Sequence, residues 1–145
     1  MIVYVDTSAL VKCYVIEAGS GDVRELIAAA RLVGTAVITR VEMAAALAKA
    51  VRTGTLLQHE ATAALDAFQG DWDSLVRLQL SEVLLARAAS LAWQYGLRGY
   101  DAVHLASASF WREILGEFVS LATYDRQLWE AARVVGLEVF PGERP

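Results

Sequence analysis

Apolar positions along the 145-residue chain alternate between strand-like runs and helix-like stripes. The opening Ile2-Val3-Tyr4-Val5 is β-branched and aromatic, and Asp6-Thr7-Ser8 after it is rich in helix-capping types, which predicts a strand leading into a helix. Beyond Gly19-Ser20-Gly21-Asp22, the residues Val23, Leu26, Ile27 and Ala30 form an apolar stripe at helical spacing, with Gly34 expected as its stop. Ala36-Val37-Ile38 predicts the next strand. Thr39 and Glu42 have capping-box spacing, opening a helix to residue 52 before Gly54. A helix over 56–68 is expected to break at Gly70 before a strand near 75–78, and Ser81-Glu82 opens a long apolar helix ending at Tyr95-Gly96. The remainder predicts a helix over 100–115, a strand over 118–122, a helix over 125–135 stopped by Gly136, and a strand over 137–140. Strands alternating with helices predict an α/β fold with a mostly parallel, five-stranded sheet and helices on both faces. No repeat or linker interrupts the pattern and both prolines lie in the last five residues, so residues 1–145 are expected to form a single domain.

At 56% hydrophobic residues the chain is rich enough for a core without structural metals or disulfides, and its single cysteine, Cys13, rules out an internal bridge. With no apolar run approaching the roughly 20 residues of a membrane helix, and no basic leader before Asp6, a cytoplasmic setting is expected. The net charge of -4 speaks against a domain that grips nucleic acid by bulk electrostatics.

Candidate chemistry lies in where certain acids fall. Asp6 follows the first strand, Glu42 sits in the first turn after the second, Asp125 follows the fourth, and Asp101 heads a helix in Gly99-Tyr100-Asp101-Ala102-Val103-His104. In parallel sheets the strand C-termini and the helix starts after them share one edge, where ligands bind. Taken singly, Asp6 and Glu42 read first as a helix cap and a capping-box acid, while Asp101 and Asp125 are explained equally well as helix-start acids. Together they would repel unless cations compensate, and such oxygen-rich sets suit magnesium or manganese and phosphoryl chemistry.

Asp6-Thr7-Ser8, Glu42 opening a helix, Asp101-Ala102-Val103-His104-Leu105-Ala106 and Thr123-Tyr124-Asp125 resemble the PIN-domain nucleases. The likeness is nearest to VapC-type ribonuclease toxins of toxin-antitoxin modules, and it extends over the whole chain to the closing pattern of residues 132–139. The resemblance implies a three-layer PIN-like fold and metal-dependent endoribonuclease activity. It implies that Asp6, Glu42, Asp101 and Asp125 hold one or two Mg2+ or Mn2+ ions, with Ser8 and Thr123 supporting them by hydrogen bonds. It also implies a homodimer and a small cognate antitoxin lying across the early helices.

Lys12, Arg40, Arg98 and Arg126 are expected to rim the same edge and to contact RNA phosphates, although 13 basic residues must lie somewhere and scattered solvated charges explain them equally well. His104 reads as a packing residue or an orienter of Asp101, His59 has no chemical context, and Cys13 reads as a small core residue. The helices over 41–51 and 83–93 are apolar on most faces, which suits either a covered core helix or a partner surface. Trp72, Trp93, Trp111 and Trp129 read as core by default and as anchors otherwise. Rival functions are another magnesium-dependent phosphoryl-transfer domain, such as a phosphatase or receiver, and a catalytically silent PIN-like binding module. Removing the four candidate acids from the 17 present leaves 13 against 13 basic residues, so the acidic surplus equals the candidate site.

Overall fold

A computed structural model describes all 145 residues. Five strands, β1 (Ile2–Val5), β2 (Leu32–Ala36), β3 (Val76–Leu78), β4 (Ser120–Ala122) and β5 (Glu138–Phe140), form one sheet in the order β3-β2-β1-β4-β5. All four pairings are parallel. The helices are α1 (Thr7–Leu10), α2 (Ser20–Ala29), α3 (Thr39–Arg52), α4 (Gln58–Asp71), α5 (Glu82–Tyr95), α6 (Gly99–Leu115) and α7 (Arg126–Val134). None is long and apolar enough to cross a membrane.

The central strand explains the layering. Every residue of β1 is buried, and because successive side chains point to opposite faces, Ile2 and Tyr4 join the core under α5, α6 and α7 while Val3 and Val5 join the core under α1, α3 and α4. The expected α/β sheet with helices on both faces is therefore what forms. Chain order runs outward from β1 in one direction through β2 and β3, and in the other through β4 and β5. The reversal beside β1 opens a crevice at the strand C-termini, the usual ligand position in such sheets.

Four local expectations are corrected. Gly34 is not a helix stop but lies inside β2, where a Cβ would stand 2.6 Å from the Trp111 ring. Glycine is there because α6 presses its indole onto the strand. Consequently β2 is centred earlier than 36–38, and Val37 and Ile38 fall in the turn after it. Gly70 lies within α4 and does not end it. Thr39 does not cap α3; its hydroxyl bonds the Thr35 hydroxyl at 2.7 Å, and Thr35 in turn donates to the Val5 carbonyl at 2.7 Å. By contrast, Ser81 accepts from the Leu84 N–H as a true cap, and Gly96 ends α5 with a φ of 64°.

Trp72, Trp111 and Trp129 are core residues, as their composition suggests, but Trp93 is 93% exposed on α5.

Candidate active site

Asp6 leaves the end of β1 and caps α1, accepting from the Ala9 N–H at 2.9 Å. It is almost fully buried, and its oxygens also accept from the hydroxyls of Ser8 (2.8 Å) and Thr123 (2.7 Å). Those two hydroxyls in turn accept from the backbone N–H groups of Tyr124 and Asp125, at 2.8 and 3.1 Å. The ends of β1 and β4 are thereby laced together around one carboxylate. Burial pushes the Asp6 carboxyl above its ordinary range, and the donors only partly offset this.

Glu42 projects from the first turn of α3. With Thr39 engaged elsewhere, its Oε1 accepts instead from the Thr7 hydroxyl at 2.9 Å and pairs with His104 Nε2 at 2.6 Å. On the other side of the ring, His104 Nδ1 lies 2.8 Å from the buried Tyr4 hydroxyl. That hydroxyl also accepts from the Ala36 N–H at 3.1 Å, so both ring nitrogens of His104 are engaged, with Nε2 donating to the Glu42 carboxylate. Burial raises the Glu42 carboxyl, but the His104 hydrogen bond and charge, with the Thr7 hydroxyl, outweigh it and the net displacement is downward. His104 orients Glu42 across the fold, then, rather than its neighbour Asp101.

Asp101 lies in the first turn of α6, and Asp125 caps α7 by accepting from the Leu128 N–H at 2.9 Å. Arg98 joins them: its Nε donates to Asp101 at 2.9 Å and its Nη2 to Asp125 at 2.6 Å. Burial, reinforced by the charge of Asp125, holds the Asp101 carboxyl above its ordinary range despite the arginine.

The four acids, contributed by helix starts from both faces of the sheet, line one open cleft of about 490 Å3 together with Ser8, Arg98 and Lys49. Its acidic side chains offer carboxylate oxygens, the donor chemistry that suits a hard divalent cation, and Arg98 bridges two of the four. In this arrangement no three acidic, histidine or cysteine side chains converge closely enough to hold an ion.

Three basic residues expected on the rim are elsewhere. Lys12 is buried, donating to Glu17 at 3.0 Å and the Ala18 carbonyl at 2.8 Å, with its ammonium 4.3 Å from the Tyr124 ring centre. Arg40 lies over Trp72 in a separate depression beside β3, and Arg126 donates to the Pro145 carbonyl. Only Arg98 of that set reaches the cleft. Sequence reasoning missed Lys49, which the spacing Glu42, Ala46, Lys49 on one face of α3 would have revealed. It also missed Thr7 and Tyr4, whose roles depend on contacts distant in sequence. His59 is exposed on α4, and burial pushes the thiol of the half-buried Cys13 up to about 11, far from a reactive thiolate.

In sequence and in fold the chain is similar to known proteins. Ribonuclease VapC45 of Mycobacterium tuberculosis (strain CDC 1551 / Oshkosh) is 32% identical over 142 residues, which cover 98% of this chain and 96% of that protein. Among solved structures, a toxin-antitoxin complex from Klebsiella pneumoniae superposes with a TM-score of 0.66 at 16% identity over the full length of both chains. VapC20 of Mycobacterium tuberculosis, described as a sarcin-ricin loop cleaving toxin, gives 0.66 at 18% identity over 99% of each chain. These structural likenesses concern the fold. A sequence model of the PIN domain matches residues 3–134, spanning all four acids of the cleft, and the chain belongs to the PIN-domain family.

Proposed function

We propose that this protein is a divalent-metal-dependent endoribonuclease and the toxin of a toxin-antitoxin pair, with residues 1–145 forming one nuclease unit. The observation that carries this reading is the meeting of Asp6, Glu42, Asp101 and Asp125, from four separate elements, on one cleft at the C-terminal edge of the sheet. The similarity to a protein named as a VapC ribonuclease supports the activity, and the fold likeness to a chain from a toxin-antitoxin complex is consistent with the partner.

Mg2+ or Mn2+, as one or two ions, would be held by these four acids. When bound, such an ion supplies a lowered water pKa and neutralisation of charge at a phosphodiester. The chain's own part is positioning. Ser8 and Thr123 fix both oxygens of Asp6, while Thr7 and His104 fix Glu42. Lys49 and Arg98 put the positive charge nearest to an entering RNA backbone. Val41 on α3 and Val83 and Trp93 on α5, all exposed, give apolar surface to a second copy and an antitoxin. A cytoplasmic setting suits such a pair.

RNA cleavage should require Mg2+ or Mn2+ and stop in EDTA. Cleavage undiminished in Asp6→Ala or Asp101→Ala would sink the assignment. One observation favours a second reading, a catalytically silent PIN-like module: no three acids converge as the side chains stand. Failure to bind Mn2+ in the millimolar range would select it.

A further inference from the structure

Arg98 stands where two parts of the acidic set meet. It immediately precedes α6, and its guanidinium bridges Asp101 and Asp125, carboxylates carried by different helices. The arginine side chain is 70% exposed whereas the carboxylates are 12% and 21% exposed, so the cationic arm reaches inward from solvent and can withdraw without disturbing packing. Its side chain makes no capping bond to α6. The oxygens it occupies, both Oδ2, are otherwise available: Asp125 uses Oδ1 for its cap, and Asp101 has no other partner. An acidic set that lacks a convergent ion group is thus bridged by the protein's own cation.

We infer that Arg98 is a positioning residue that serves as the resident counter-cation of the ion-free site, holding Asp101 and Asp125 together until a divalent ion displaces it from both. The inference rests on the metal-dependent reading proposed above. A guanidinium cannot lose its proton at any relevant pH, so while the carboxylates are ionised it leaves them only by competition. Lysine would hold the pair less well, because one planar fork reaches two carboxylates at once. Exposed ion pairs are weak, so the competition lowers ion affinity by roughly three- to thirty-fold without abolishing it. Once released, the guanidinium remains at the cleft mouth, where RNA phosphates approach.

Titration of the RNA-free protein with Mn2+ by calorimetry tests this. Arg98→Ala should bind Mn2+ roughly three- to thirty-fold more tightly than wild type. Lys49→Ala removes the same formal charge from the same cleft without removing a bridge, and it should gain less. Equal or weaker affinity in Arg98→Ala, or an equal gain in Lys49→Ala, would overturn the role of Arg98 while leaving the metal reading intact. No Mn2+ binding by any of the three proteins would remove the ion itself, and both readings with it. A second measurement needs no variant: in 15N-labelled wild type, the Arg98 Nε–H resonance should shift on titration with Mg2+ as its bond to Asp101 breaks. A resonance unmoved at saturating Mg2+ would refute displacement.

Discussion

At the scale of single residues, Asp6 and Glu42 are two carboxylates of one cleft pulled in opposite directions. Asp6 is raised by burial, so the folded protein favours its protonated form; the stability this gives is complete below the ordinary carboxylate range and is lost as pH rises through the raised folded value. Glu42 is lowered, so its contribution is present above the ordinary range and is lost as pH falls through the lowered value. Once pH exceeds the raised Asp6 value, Asp6 is held charged against the cost of burial, while Glu42 keeps its full contribution. Asp6→Asn should therefore raise the melting temperature in EDTA at pH 8 and lose that advantage toward pH 4. A variant less stable than wild type at pH 8 would mean that the bonds to Ala9, Ser8 and Thr123 outweigh desolvation, and that Asp6 is chiefly a cap. His104 makes a complementary case. Removing its ring takes one partner from each of the Tyr4 hydroxyl and the Glu42 carboxylate and leaves a cavity in the core, so His104→Ala should cost about 2–4 kcal/mol. In a double-mutant cycle with Tyr4→Phe by urea denaturation, the coupling should be about 1 kcal/mol; additivity would mean that the chain from Tyr4 to Glu42 is not energetically connected.

At the scale of elements, what could be read from the sequence depended on how local the determinant is. The strand into Asp6, the Ser81 cap, the Gly96 stop and the Asp125 start of α7 were legible because a few neighbouring residues decide each. Gly34 was not, since the residue that demands glycine there is Trp111, brought over β2 by α6. Thr39 misled for a different reason: the spacing of a capping box was present, but Thr35, only four residues earlier in β2, claimed the hydroxyl and left Glu42 to reach the cleft. The four acids were legible because strand ends and helix starts fix where they lie, whereas Thr7 and Tyr4 act through partners distant in sequence. The contact at Gly34 yields a sharp expectation. In Gly34→Ala the added Cβ meets a buried, inflexible indole on one side and a central sheet position on the other, so the variant should lose about 1–3 kcal/mol by overpacking. Trp111→Leu in the Gly34→Ala background should recover part of that loss in a denaturant titration. A Gly34→Ala variant as stable as wild type would show that α6 shifts freely over the sheet.

For the molecule as a whole, the question is how a chain of net charge -4 holds a polyanion. Apart from the four candidate acids, acidic and basic residues are equal in number, so the bulk of the molecule neither attracts nor repels RNA strongly. Of the basic side chains expected to help, Lys12, Arg40 and Arg126 are engaged elsewhere, while Arg98 is tied to Asp101 and Asp125. RNA must then meet an acidic cleft unless divalent ions neutralise it and free Arg98. This sets the sign of a measurement. A protein that grips RNA with a basic patch loses affinity when Mg2+ is added, because the ion competes for the phosphates. Here the same ion should first convert the repelling cleft into a phosphate site. Binding of a hydrolysis-resistant phosphorothioate RNA, followed by fluorescence anisotropy, should tighten on the order of ten-fold between EDTA and millimolar Mg2+, while NaCl at matched ionic strength weakens it. Weakening by both salts alike would place RNA on a surface remote from the four acids, and the cleft would then have to act on something else.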